Sequence, residues 1–191
     1  MGKYLGDDDK TAQFEALAMP HLDAAYNLAR WLTRDPHAAD DLVQDAYLRA
    51  FRFVDSFRGG DARAWLLTIV RNTYYSTLRD THHERADVSF EEDEHGAADI
   101  GDGAADSRSG GDPARIAASR DLDRTVNQAL DRLPRAFREV LVMKEMDDLS
   151  YKQIAQVVNV PIGTVMSRLA RARKQLLSLL TRDQAGDQDG L

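Results

Sequence analysis

The segment HHERADVSFEEDEHGAADIGDGAADSRSGGDPAR, residues 82–115, sets the architecture of this chain. It is rich in Gly, Ala, Asp and Ser and has few large apolar groups, so it cannot bury enough surface to offset the entropy of ordering it. It carries three basic and ten acidic residues. A flexible acidic linker is therefore expected at 82–115, and whatever folds must fold on either side of it. With 191 residues in all, each flank is near the lower size limit of an independent domain. No internal repeat relates the two. Residues 1–10 and 183–191 read as a disordered N-terminus and a disordered tail.

Both flanks carry helical periodicity and neither shows strand alternation. The expected fold class is all-α: two small helical domains, at 11–81 and 116–182. In the first, Phe14, Leu17, Leu22, Ala25, Leu28, Ala29 and Leu32 recur near helical spacing, with Pro20 set to break or kink the run. Asp35 and Pro36 read as the cap and first turn of the next helix. Asp40 and Asp41 lie toward its positive end, Arg49 and Arg52 toward its negative end. The loop SFRGGDA follows. Asp61 then caps a third helix to about Arg79, with Trp65, Leu66, Ile69, Val70 and Thr73 on one face. The second flank predicts a helix over about 114–132 carrying Ile116, Leu122, Val126, Ala129 and Leu130. Pro134 opens another, with Phe137, Val140, Leu141 and Met143 inward. A turn at MDDLS leads to a short helix from Tyr151 to Val158. Asn159 suits a left-handed turn, and Pro161 starts a long last helix.

The chain is acidic overall, with 25 Lys and Arg against 32 Asp and Glu. Yet LSYKQIAQVVNVPIGTVMSRLARARKQLLSLLTR, residues 149–182, contains no acid. Residues 116–182 hold twelve basic and seven acidic residues, a net +5. Such asymmetry points to a polyanion partner. A helix, a short turn and a basic second helix make the helix-turn-helix pattern. On the last helix Val165, Leu169, Ala172 and Leu176 share the side that faces the core. Gly163, Ser167, Ala170, Arg171 and Lys174 lie opposite, with Arg168 and Arg173 flanking. The small residues let the backbone approach a DNA groove. There Arg171 and Lys174 reach base edges or phosphates, and arginine pairs bidentately with guanine. An acid in this window would repel the phosphates. The plainer alternative, a solvated basic face, explains the charge but not its coincidence with the turn, the cap and the small residues.

A related pattern lies on the third helix of the first flank. Arg71, Tyr75 and Arg79 follow i, i+4, i+8 with Asn72 beside them, and Arg58 and Arg63 stand where the helix begins. Basic groups interleaved with aromatic rings suit single-stranded nucleic acid, because rings stack on unpaired bases. An ordinary amphipathic helix with Tyr at its margin fits as well. With no Cys, disulfides and thiolate chemistry are excluded. No apolar run approaches a membrane span and no signal peptide opens the chain, so a cytoplasmic protein without membrane contact of its own is expected. Two enzyme-like traces are weak. His82, His83 and Glu84 are adjacent rather than spaced as metal ligands. GDGAAD at 101–106 lacks the third glycine of a dinucleotide fingerprint and its strand–helix setting. No catalytic residue, metal or cofactor is assigned.

Two stretches resemble a known family. ADDLVQDAYLRAFRFVDSFRGGDARAWLLTIVRNTYYSTLR is similar to region 2 of bacterial sigma factors of the extracytoplasmic-function class. ALDRLPRAFREVLVMKEMDDLSYKQIAQVVNVPIGTVMSRLARARKQL is similar to their region 4. The resemblance implies a dissociable subunit of bacterial RNA polymerase that confers promoter recognition. It implies that the helix holding Asp41, Gln44, Asp45 and Leu48 meets the clamp coiled coil of the core enzyme, and that the core's flap is a further contact. It implies that the loop from Phe57 to Ala62 and the helix with Asn72 and Tyr75 melt the minus-ten element and capture an unstacked base. The helix from Thr164 to Lys174 would read the minus-thirty-five duplex. Many relatives carry Arg or Lys where this chain has Met166. An anti-sigma factor often holds such chains inactive, in some cases at the membrane. The rival reading is a helix-turn-helix regulator acting without core polymerase, which would need an effector or dimerisation function in 11–81.

Overall fold

The computed structural model describes residues 7–85 and 124–186, and among them every regular element is helical. The first block contains α1 (Asp7–Ala18), a 3-10 turn (Met19–His21), α2 (Leu22–Thr33), α3 (Pro36–Phe53), a second 3-10 turn (Val54–Ser56) and α4 (Ala62–Arg85). The second contains α5 (124–131), α6 (Arg135–Glu145), α7 (Tyr151–Val158) and α8 (Ile162–Gly186).

Local chemistry places the boundaries. Pro20 breaks the first run as expected, and the 3-10 turn it opens separates α1 from α2. The break also resets the helical phase, so Leu22 is left exposed while Ala25, Leu28, Ala29 and Leu32 are buried. Asp35 caps α3 through the Ala38 N–H at 2.7 Å, with Pro36 in the first turn. Gly59 (φ 87°) and Gly60 (φ 102°) take backbone angles that favour glycine. They turn the loop so that Asp61 caps α4 through the Ala64 N–H at 2.8 Å. Ser150 and Gln153 form a reciprocal capping box on α7, and Asn159 ends it in the left-handed conformation at φ 53°.

Three helix ends differ from the sequence expectation. Residues 7–10, placed in a disordered N-terminus, are helical. Asp8 and Asp9 complement the positive end of α1, and Lys10 is anchored 3.1 Å from Asp55 and over the Phe51 ring at 5.3 Å. Helix α4 runs past residue 81 to Arg85, and α8 past residue 182 to Gly186. Those limits were drawn from charge and composition, which do not stop a helix. No Gly or Pro interrupts α4. The acidic segment after Arg85, the segments 1–6 and 187–191, and Ile116 and Leu122 of the helix expected over 114–132 lie outside the described residues.

Within the first block α2 packs on α3 and α4, and α1 covers α3 and α4. Within the second, α6 and α7 pack on α8. The blocks also pack on each other, α2 against α6 and α4 against α7. A single apolar cluster therefore runs from Leu28, Leu66 and Val70 through to Leu133, Val140, Ile154 and Leu169. Each block was expected to be marginal alone. In this arrangement they share a core.

Candidate polymerase and nucleic-acid interfaces

Helix α3 presents Asp41, Gln44, Asp45 and Leu48 on one exposed face, because i, i+3, i+4 and i+7 fall on one side of a helix. Its opposite side buries Ala39, Leu42, Val43, Ala46 and Ala50. Leu48 is 54% exposed. Beside it, Phe14, Tyr47 and Phe51 line a shallow apolar groove of about 250 Å³. Phe14 holds both rings edge-on, at 5.9 and 5.3 Å. The Tyr47 hydroxyl donates to the Ala18 carbonyl at 3.0 Å, and burial, followed by nearby Asp23, pushes it up to about 12.

The stripe on α4 forms as its spacing predicts. The Arg71 guanidinium lies 4.6 Å from the Tyr75 ring centroid, and Asn72, Arg79 and Arg58 are exposed. The structure divides this set, however. Arg71 reaches across to the buried carboxylate of Glu139 on α6, with a second contact from Nη2 to Oε2 at 3.4 Å. Arg63 lies 3.7 Å from Asp147, which also accepts from the Asn27 amide at 3.4 Å. Asp61 accepts from Gln153 of α7. Although burial opposes it, the Ala64 N–H and the Gln153 amide hold the Asp61 carboxyl below its usual range. Between the 56–61 loop and the start of α7 lies a cleft of about 600 Å³ lined by Phe57, Arg58, Trp65, Lys152 and Gln156.

Residues that sequence reasoning did not single out complete the contact. Arg138 is buried and donates to the carbonyls of Leu130, Asp131 and Leu133, and across the interface to Trp31 at 3.3 Å. Burial, with Arg34 nearby, lowers its pKa to about 10, so it stays charged at neutral pH. Arg34, at φ 62°, pairs with Asp131 at 3.4 Å. Arg135 lies 5.5 Å from the Tyr74 ring centroid. Burial raises the pKa of Asp131, Glu139 and Asp147. The available sequence signal was an Arg–Glu pair inside the apolar run AFREVLVM, but nothing in one chain tells which cation an acid will meet.

On α8, Val165, Leu169 and Ala172 are buried and Leu176 is half-buried, as the periodicity requires. Gly163, Met166, Ser167, Ala170, Arg171 and Lys174 are exposed. Thr164 and Arg168 sit at the margin, and Arg168 is near enough to Glu139 to oppose its upward shift. Arg173 is held by Glu145 at 2.7 Å.

Residues 17–84 match the family described as Sigma-70 region 2, and residues 123–176 match Sigma-70, region 4. The RNA polymerase sigma-H factor of Pseudomonas aeruginosa is 31% identical over 88% of this chain and 86% of its own length. The ECF RNA polymerase sigma-E factor of Escherichia coli is 34% identical over 71% of this chain and 70% of its own.

This chain belongs to the extracytoplasmic-function sigma factors.

Another relative of the sigma factor, SigE of Mycolicibacterium smegmatis, is 30% identical over 93% of this chain, which spans 65% of that protein's length. Two solved structures share its arrangement. Sigma factor RpoE in complex with the anti-sigma factor NepR, from Bartonella quintana, aligns with TM-score 0.66 and 30% identity, over 88% of this chain and 96% of that one. CnrH in complex with the cytosolic domain of CnrY aligns with TM-score 0.58 and 25% identity, over 89% and 88%. Family membership decides against a regulator that acts without polymerase. No helix among the described residues is long and apolar enough to cross a membrane.

Proposed function

We propose that this sigma factor docks on core RNA polymerase through α3, opens the minus-ten element with α4 and its preceding loop, and reads the minus-thirty-five duplex with α8. The division of its surfaces carries this reading. The face formed by Asp41, Gln44, Asp45 and Leu48 over an apolar groove suits a protein partner, whereas the exposed acid-free face of α8 suits DNA. Arg58, Arg63, Arg71, Asn72, Tyr75 and Arg79 act on the melted strand through phosphate pairing and stacking. Thr164, Ser167, Arg168, Arg171 and Lys174 contact the duplex, with Arg171 and Lys174 foremost because they are both exposed and charged.

The chain supplies recognition and the polymerase supplies chemistry, so no catalytic role belongs to the factor itself. It acts in the cytoplasm, where its polymerase works. The likeness to two factors solved with anti-sigma partners supports control by an anti-sigma factor. The test uses holoenzyme on a duplex promoter and on the same promoter carrying a pre-melted bubble. Asn72→Ala with Tyr75→Ala is expected to weaken the permanganate footprint of the duplex, and the bubble to restore transcription. No recovery on the bubble rejects the strand-opening role. Charge reversal at Asp41 and Asp45 acts earlier, lowering association with core.

A further inference from the structure

The second block is basic, yet its acids are not scattered. Of the five acids within residues 124–182, Glu145 and Asp148 pair inside the block, with Arg173 and Lys144. The other three, Asp131, Glu139 and Asp147, all face the first block. There they meet Arg34, Arg71 and Arg63. The carboxylates of Glu139 and Asp147 are almost fully buried, at 1% and 2% exposure. Both cations they hold belong to the set that the proposed function assigns to the melted strand.

A carboxylate at this distance from a guanidinium offers what a phosphate offers: negative charge and acceptor oxygens in a plane that an arginine fork can grip. Tyr75, the ring under Arg71, is half-buried in the same contact. Closing the blocks and binding a single strand therefore use the same groups, and the two states exclude each other.

We propose that Glu139 and Asp147 are built-in stand-ins for promoter phosphates, holding Arg71 and Arg63 in the closed factor so that a single DNA strand binds region 2 only by displacing region 4. This rests on the reading of Arg63, Arg71 and Tyr75 as strand contacts, and it adds the regulation of that site. The competition is reciprocal. Single-stranded DNA opens the factor, and whatever stabilises the closed form weakens its hold on DNA. The face of α8 stays exposed in the closed form, so the control falls on strand capture and not on the surface of the duplex-reading helix.

The chain has no cysteine, so donor and acceptor dyes can be placed on Asp40→Cys and Ser178→Cys, both at exposed positions in the two blocks. The full-length labelled factor is titrated with oligothymidylate, and anisotropy of a fluorescein-labelled oligothymidylate gives the affinity. Glu139→Gln with Asp147→Asn removes both charges at nearly constant shape, and circular dichroism checks that the helices are retained. The pair is expected to open the factor and to tighten oligonucleotide binding about tenfold, which corresponds to a closed form holding about nine-tenths of the unmodified molecules. Adding Arg71→Gln to the pair is expected to abolish the gain. In the factor with native Glu139 and Asp147, saturating oligonucleotide is expected to lower energy transfer, a readout that needs no change at the interface. Opening with unchanged affinity overturns the assignment of Arg63 and Arg71 to DNA, and the competition with it. Unchanged distance and unchanged affinity overturn the stand-in role while leaving the assignment of those arginines intact. Energy transfer insensitive to bound oligonucleotide overturns the exclusion of one state by the other.

Discussion

Helices α4 and α8 both carry a basic stripe over an apolar face, and the structure treats them in opposite ways. On α8 the side bearing Ser167, Arg171 and Lys174 is exposed. On α4 the arginines nearest the second block are drawn into ion pairs, while Asn72 and Arg79, and Arg58 in the loop before the helix, are left outside. Where one face of a basic helix has no acids near it, the charge on that face stays available. Where acids of a neighbouring block are buried against it, the same charge becomes part of a tertiary contact. The difference teaches that a basic pattern is a statement about capacity, and that the partner occupying it is decided by packing elsewhere in the chain.

That contrast breaks most severely at Arg138, which joins α6 to the end of α5 and reaches Trp31 of the first block. Arg138→Met removes these bonds and strips Asp131 of one of its cations. Breaking a buried charge network of this kind typically costs about 3–5 kcal/mol. The midpoint of urea denaturation is expected to fall accordingly, and energy transfer between the blocks with it. A midpoint within experimental error of the parent rejects Arg138 as the clasp. Next in size is Arg171→Ala, which should weaken minus-thirty-five binding by holoenzyme by about 1–3 kcal/mol through loss of a bidentate base contact. The closed form should be untouched, because Arg171 lies on the open side. A loss of interdomain energy transfer in this variant contradicts the separation of the two faces.

Most of the fold was legible because it rests on local chemistry. Asp35, Pro36, Asp61, Ser150 and Asn159 each mark a helix end with a side chain or a backbone angle that has few other uses. The faces of α8 followed from the helical period alone, whereas Asp41, Gln44, Asp45 and Leu48 of α3 were pointed to by the family resemblance. The closing contact was not legible, since Arg71 and Glu139 are 68 residues apart and Asn27 and Asp147 are 120 apart. Long-range pairs leave no periodic trace, and the acids concerned looked like minor exceptions in a basic block. The helix over residues 7–10 was missed for a different reason. Its stabilisation comes from Lys10 meeting Asp55 and Phe51, which no reading of the terminus by composition reveals.

The finest comparison is within α8 itself, between two exposed positions. Met166 is 53% exposed and lies before Arg171 in the chain, turned by about 140° from it around the helix. A thioether brings neither charge nor a strong donor to DNA, and at this exposure its truncation leaves no cavity behind. Met166→Ala is therefore expected to change minus-thirty-five binding by less than about 0.5 kcal/mol, the range of ordinary surface substitutions. Adding a cation at the same place sharpens the point. Met166→Arg is expected to steepen the salt dependence of duplex binding by about one phosphate contact. If Met166→Ala instead matches Arg171→Ala in holoenzyme binding to a duplex promoter, α8 enters the groove on a different face from the one its period defines.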